Sequence, residues 1–360
     1  MRIVVDGLGA APGSSAAVIL EHFVDGWASL GSDELVVSLS PEVAALVSWP
    51  SSVVTVDQQH YRGPAGRVLA HNRAVSGLCR EVRADAMVGL LPTTAMVPLP
   101  CPRVILSFDL RYELLPHQFS RKTKVLRTVA YSVGFRQADA IACISDRTRQ
   151  DLLRSRPWLR RRLVGVAYLG ADHVASWPVD RDAASYAVAF GQYGHKNVDL
   201  VIDAWALLRD RGTAMPIKLI GMPDGARPMA EAHIARLGLS DVVRPTGWLF
   251  GNDLRRCFAS AGLFVFPSEF EGFGLPAVEA MQLGIPLVVS PDPALLEVTD
   301  GKATVMKEWT AAALAEAVDA ALSTTPDDLG AARARASEFT WQGMAASVRA
   351  LAQEAIARRR

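Results

Sequence analysis

The sequence predicts an α/β protein made of two doubly wound, parallel-sheet domains. Three observations carry that prediction. Short apolar runs alternate with longer helix-period segments along the whole chain, these runs fall into two series that part near residues 176–182, and 360 residues are enough for two ordinary domains. Half of the residues are hydrophobic and 21% are charged, as in folded globular proteins.

The first series of candidate strands covers residues 3–5, 35–39, 52–56, 86–90, 103–107, 140–144 and 163–166. They are short and nearly all apolar, as strands covered on both faces by helices must be. After Trp177-Pro178 a second series follows at 186–190, 217–220, 242–245, 263–266, 286–289 and 303–305. Helices are expected between them, for instance at 197–209, 229–237 and 310–322, with a last one at 342–359 after Phe339-Thr340-Trp341. The expected division is 1–178, 179–340 and a terminal segment 341–360. No internal repeat is present, and the one biased stretch, Ala/Arg-rich 331–336, suits an exposed helix.

Composition excludes several classes. A formal net charge of +1 offers no whole-molecule attraction to nucleic acid. Cys79, Cys101, Cys143 and Cys257 form no CxxC pair, and no histidine stands at metal-ligand spacing, so free thiols and no metal are expected. The chain opens on a strand and lacks the basic-then-apolar pattern of a signal peptide. No apolar run is long enough for a membrane span, so a soluble or peripheral protein is expected. Arg121, Lys122, Lys124 and Arg127, interleaved with Leu126, Val129 and Val133 along one stretch, could form a basic amphipathic helix, though a solvated helix face is the plainer reading. The same applies to Arg154, Arg156, Arg160, Arg161 and Arg162. Three glycines in Gly7-Leu8-Gly9-Ala10-Ala11-Pro12-Gly13 hint at a dinucleotide loop, but their spacing departs from GxGxxG.

The most informative stretch runs from Phe266 to Ser290. An apolar strand enters a turn containing Gly272 and Gly274, and Pro276 follows where a helix begins. Such a turn presents backbone N–H groups at a positive helix end, a place for phosphate. Glu271 and Glu279 flank it and, when ionised, only accept hydrogen bonds, which suits hydroxyl groups. A ligand with phosphate in the middle and hydroxyls at both ends fits: a nucleotide sugar.

This stretch resembles the E-x7-E region of the retaining GT-B glycosyltransferases known as group 1 or GT4, in particular bacterial mannosyl- and rhamnosyltransferases. The resemblance covers nearly the whole chain, and residues 271–290 are its most specific part. It implies two Rossmann-like domains facing a central cleft, with the first binding acceptor, the second binding donor, and the last helix crossing back onto the first. It also implies that Glu271 binds donor-sugar hydroxyls, Glu279 the ribose, and the turn Gly272, Phe273, Gly274 and Leu275 the sugar and phosphate. Phe190-Gly191-Gln192-Tyr193-Gly194-His195-Lys196-Asn197 resembles the family's phosphate loop. Lys196 matches its lysine, whereas Gln192 stands where many relatives carry arginine and His195 where some carry a second one. A glutamine brings neutral donors only, so stabilisation of the leaving diphosphate is weaker unless His195 is protonated or another base helps.

In the first domain, Ser107-Phe108-Asp109-Leu110 resembles the family's H-D-L segment with phenylalanine in place of histidine. Phe108 cannot hydrogen-bond a sugar hydroxyl, which points to a 6-deoxy donor or to altered catalysis. Asp109 is a catalytic candidate or a turn former. Gly13 and Ser14 on the first loop, and Ser145 at the end of its strand, are candidates on the acceptor and sugar side. Thr246, Gly247, Trp248 and Leu249 lie where relatives pass the nucleotide base. Asp180-Arg181-Asp182 spells D-x-D, but no strand precedes it and it is not read as a metal site.

The resemblance therefore implies a metal-independent, retaining transferase in polysaccharide or glycoconjugate synthesis. It would move a hexose or 6-deoxyhexose from a GDP-, UDP- or dTDP-linked donor to a glycan, lipid-linked or small-molecule acceptor. No cofactor is obligatory, and nucleic acid is not a partner. Lys196, Glu271 and Asp109 are the catalytic candidates. The expected location is the cytoplasm, or peripherally the inner face of the membrane. The principal alternative is a pseudo-glycosyltransferase or non-catalytic nucleotide-sugar-binding protein of the same fold. An epimerase or phosphorylase is more distant, and a dinucleotide oxidoreductase rests on the N-terminal glycines alone.

Overall fold

The computed structural model describes residues 1–57, 71–92, 97–180, 185–192 and 194–359. Seven parallel strands form the sheet of the first unit: β1 (Arg2–Asp6), β2 (Glu34–Leu39), β3 (Val53–Asp57), β4 (Ala86–Gly89), β5 (Arg103–Ser107), β6 (Ala140–Cys143) and β7 (Leu163–Val166). Their spatial order is β3-β2-β1-β4-β5-β6-β7. The order reverses between β1 and β4, so a crevice opens there at the carboxyl ends of the strands. Helix α1 (Ser15–Ala28) starts where Ser14 accepts a hydrogen bond from the Ala17 N–H, and it buries Ile19, Leu20, Phe23, Val24 and Trp27 along one stripe. Helix α2 (Arg121–Gln137) buries only Gly134 and Phe135 among its residues and leaves Val125, Leu126 and Val129 more than half exposed beside Arg121 and Lys122. Helix α3 (Asp146–Ser155) is capped by Ser145. The arginine cluster after it is partly structural: Arg156 is buried against Glu113 and over the Phe135 ring, and Arg154 pairs with Asp151.

The sheet of the second unit holds β8 (Tyr186–Phe190), β9 (Ile217–Ile220), β10 (Val243–Pro245), β11 (Ala261–Phe266), β12 (Leu287–Val289) and β13 (Thr304–Val305). All are parallel, in the order β10-β9-β8-β11-β12-β13. Here the order reverses between β8 and β11. Helix α4 (Val198–Asp210) follows β8 and helix α5 (Leu275–Gln282) follows β11, so the loops entering both helices flank the switch point. Trp205 anchors one face of this core, and its indole N–H donates to the Met215 carbonyl at 2.7 Å. Both sheets agree with the doubly wound class that the alternation predicts.

The chain divides into Met1–Gly170 with Thr340–Arg360, and Ala171–Phe339. Residues 171–178, assigned by sequence to the first domain, thus pack in the second unit. There the Ala171 N–H donates to the Phe339 carbonyl at 2.9 Å, and His173 meets Glu279. Helix α6 (Trp341–Arg359) belongs to the first unit, where it lies against α1. Asp33 ties three segments of this unit together. It receives hydrogen bonds from the N-terminal ammonium at 2.8 Å, the Trp27 indole at 3.0 Å and Arg349 of α6 at 2.7 Å. Burial pushes the Asp33 carboxyl up, but these donors outweigh it and bring its pKa down to about 2. A depressed carboxyl stabilises above its unfolded pKa and loses that contribution as pH falls through the folded value. Asp33 is therefore expected to contribute about 1–2 kcal/mol above pH 4 that fades between pH 4 and 2. Urea unfolding of D33N across that range checks it: the difference from wild type should shrink on acidification, and a constant difference would sink the assignment.

Candidate functional site

The site is built where β8 and β11 end. Three hydrogen bonds join the two loops: the Glu269 N–H to the His195 carbonyl at 2.8 Å, the Ser268 hydroxyl to the same carbonyl at 3.3 Å, and the Asn197 side-chain amide to the Pro267 carbonyl at 2.9 Å. Asn197 takes a left-handed conformation, φ 54°, which asparagine tolerates better than most residues, and from there the chain turns into α4. This stitching brings Lys196 to Glu271, with Nζ at 2.5 Å from Oε1. Nζ also lies 4.2 Å from the centroid of the Phe266 ring, a cation–π contact. Lys196 is only 7% exposed.

Helix α5 begins at Gly274, whose φ of 93° suits glycine alone. A Cβ there would also come within 2.4 Å of Leu295 Cδ2. No side chain caps this helix, and Pro276 in its first turn contributes no N–H. Phe273 is buried edge-on against Phe339 at 5.5 Å, so it holds the turn in place from below. Glu279, one turn into α5, is buried, and His173 Nε2 lies 3.2 Å from its Oε1. His173 in turn packs edge-on against Trp177. Each of the paired glutamates thus faces a basic side chain supplied from elsewhere in the unit.

The remaining sequence candidates of the second unit lie on the same edge of the sheet. Gln192 packs on Gly221, where an added Cβ would come 2.7 Å from its Cγ. His195 is buried, 4% exposed. Gly247 accepts from the Gly221 N–H at 2.9 Å, and the Thr246 N–H donates to the Leu219 carbonyl at 2.8 Å, so these two hold β10 to β9. Trp248 stays 43% exposed and stacks parallel to the exposed Phe250. Leu249 lies between them, at intermediate burial.

In the first unit, candidates also follow strand ends, but several polar groups are already engaged. Ser14 donates to the Ala11 carbonyl at 2.7 Å as well as capping α1, next to Gly13 at φ 71°. Ser145 is fully buried, accepts from the Thr148 N–H at 3.0 Å and donates to its hydroxyl at 3.1 Å. Asp109 accepts from the Arg111 N–H at 2.9 Å, the turn-forming role that its loop position also allows. Phe108 is partly exposed, and its carbonyl accepts from the Thr148 hydroxyl. Of the D-x-D residues, Arg181 and Asp182 lie outside the described residues, and the Asp180 N–H donates to the Ala259 carbonyl. Among the described residues no group of three or more His, Cys, Asp or Glu could hold a metal ion, and no helix is long and apolar enough to cross a membrane.

Chemically, the switch point of the second unit combines an uncapped helix end and a buried ammonium, both suited to an anion, with two carboxylates suited to hydroxyls. Comparison with known proteins agrees with the motif reading. Residues 184–324 match the family model described as Glycosyl transferases group 1. An MMP alpha-(1->4)-mannosyltransferase of Mycolicibacterium hassiacum is 37% identical over 180 residues, covering 48% of this chain and 43% of that protein. A GDP-mannose:cellobiosyl-diphosphopolyprenol alpha-mannosyltransferase of Komagataeibacter xylinus is 32% identical over 230 residues, covering 55% and 57%. The chain thus aligns with about half the length of these relatives. Among solved structures, a sucrose-phosphate synthase from Thermosynechococcus elongatus superposes with a TM-score of 0.77 at 17% identity, covering 99% of this chain and all of the other. HepE of Anabaena, solved with UDP-glucose, gives 0.73 at 20% identity, covering 100% and 99%. At such identities these likenesses show the fold, which is that of the GT-B glycosyltransferases.

Proposed function

We propose that this chain is a glycosyltransferase whose second unit holds a nucleotide-diphosphate sugar. The observation that carries the proposal is the contact between Lys196 and Glu271 beside the uncapped start of α5. A cation for phosphate and a carboxylate for sugar hydroxyls stand side by side at the point where an open parallel sheet binds ligands. Gly272, Phe273, Gly274 and Leu275 supply the backbone for the phosphate and sugar, and Glu279, steadied by His173, takes the ribose. Thr246, Gly247, Trp248 and Leu249 border the base. The two relatives described above are named as mannosyltransferases, which supports a hexose donor. Retention of configuration and independence of metal follow from the family resemblance. Lys196 and the helix end then stabilise the departing diphosphate electrostatically, and Glu271 positions the sugar.

The acceptor is assigned to the first unit, near Gly13 and Phe108. Ser14 and Ser145 would have to give up their present hydrogen bonds to contribute hydroxyls, so they are weaker contributors than their positions suggest. The exposed Val125, Leu126 and Val129 beside Arg121 and Lys122 support an acceptor presented at an anionic surface, including a lipid-linked one.

A thermal-shift screen of GDP, UDP, dTDP and their hexose and 6-deoxyhexose esters tests the donor. Ligand at a hundred times its Kd should stabilise the folded chain by about 2.7 kcal/mol, a shift of several degrees. No shift with any of them would sink the donor-site reading. Preference for a full hexose would remove the 6-deoxy explanation of Phe108. A second reading, binding without transfer, is favoured by the neutral Gln192 in the phosphate loop together with Phe108 in place of histidine. It predicts donor binding with no nucleoside diphosphate released when acceptor is supplied.

A further inference from the structure

The Lys196–Glu271 pair poses a problem for any donor. The ammonium needed by the diphosphate is already neutralised at 2.5 Å, and both side chains are largely buried, 8% and 13% exposed. A diphosphate entering beside Glu271 meets a carboxylate of its own sign. A buried ion pair of this kind is costly to open unless each partner gains a replacement. A complete nucleotide sugar supplies both replacements at once: phosphate oxygens for Lys196 and hydroxyl donors for Glu271. A bare nucleoside diphosphate supplies only the first and leaves Glu271 charged, desolvated and next to the phosphates.

We propose that Glu271 is a competing ligand for Lys196, exchanged for the diphosphate when a sugar is attached and returned to it when the sugar has left. This inference rests on the donor-site reading above and adds a role to it. The ion pair makes the site discriminate donor from spent donor, and its re-formation drives out the product diphosphate. Gln192 sharpens the effect, because the phosphate loop has no arginine at that position to hold the product once Lys196 is recaptured. The cation–π contact with Phe266 keeps Nζ in place through the exchange, so only the anion changes.

The sign of the expected result is unusual for a binding-site substitution. E271Q removes the competitor and should tighten nucleoside diphosphate binding while weakening the sugar's contribution. If the pair occupies about nine molecules in ten, freeing Lys196 strengthens diphosphate affinity about tenfold. The experiment is calorimetric titration of GDP, UDP and dTDP, and of the matching nucleotide sugar, into wild type, E271Q, E271A and the K196M/E271Q double variant. Both single variants should bind the diphosphate about tenfold more tightly than wild type, and the nucleotide sugar no more tightly. In turnover, the diphosphate should become a correspondingly stronger product inhibitor of E271Q. The double variant should lose the gain. A wild type that binds diphosphate while neither single variant binds it more tightly overturns the exchange alone. A wild type that binds none of the nucleotides overturns the donor site, and the exchange with it.

Discussion

Replacing Lys196 by methionine is expected to lower kcat/KM by about 10²–10³, the usual cost of removing one preorganised group that meets developing charge. Most of the loss should fall on kcat, because in the proposed transfer the diphosphate gains charge as the sugar departs. The substitution also strands Glu271, a carboxylate only 13% exposed, without its partner at 2.5 Å. Stranding a buried charge costs about 3–5 kcal/mol, so lost activity in K196M alone could reflect lost fold. The K196M/E271Q double variant separates the two effects. It removes the orphaned charge and should recover most of the unfolding midpoint, while activity stays at the level of K196M or below. K196R keeps the charge but spreads it over a planar guanidinium, and should retain more activity than methionine. A double variant with restored stability and near-wild-type turnover would show that Lys196 is structural.

How much of this arrangement was legible beforehand depends on what kind of signal each part leaves. Buried parallel strands leave apolar runs, so every candidate strand corresponds to an observed one, displaced by a residue or two at the ends. The largest displacement is at β11, which starts at Ala261 because Ala261 pairs with Tyr186 of β8, the register shifting at Gly262 before Leu263 resumes the ladder. Helix Arg227–Arg236 starts ahead of its expected onset at 229, since Pro228 is acceptable in a first turn. The division at Gly170 rather than at residue 178 turns on His173 and Ala171 finding partners far along the chain, which no local pattern reveals.

The side chains of the proposed site show the same contrast. Lys196, Glu271 and Glu279 sit in motifs whose glycines and proline mark the turns that hold them. His173 carries no such mark. Nothing in the sequence around it sets it apart, and only the fold brings it to 3.2 Å from Glu279. Ser14 and Ser145 were visible as residues at strand-to-helix junctions, the positions that both substrate contacts and N-caps occupy. Only the hydrogen-bond geometry separates those roles, and here it records caps. Trp248 and Phe250 reverse the usual expectation for large aromatics. Both remain exposed, on the edge of the sheet proposed to border the base.

The other large effect expected is on stability, at the start of α6. Two glycines from distant parts of the first unit press on the backbone of Thr340 and Trp341. A Cβ at Gly26 of α1 would lie 2.4 Å from the Trp341 carbonyl carbon and 2.5 Å from its oxygen. A Cβ at Gly170 would lie 2.2 Å from the Trp341 nitrogen. Neither neighbour is a flexible side chain that could swing aside, and the Trp341 indole is itself 4% exposed, with its ring 5.4 Å from that of His22. In an isolated helix, Gly26→Ala would gain about 1 kcal/mol from propensity. Here overpacking against backbone, about 1–3 kcal/mol, opposes that gain and should exceed it. G170A lies outside any helix, has no such compensation, and should be the more damaging of the two. Urea midpoints of the single and double variants measure this. Because the glycines seat the two successive peptides on either side of Trp341, displacing that stretch once relieves part of the second clash, so the double variant should lose less than the sum of the singles. Strict additivity, or a G170A midpoint equal to wild type, would mean that α6 is seated by its side chains rather than by this close backbone approach.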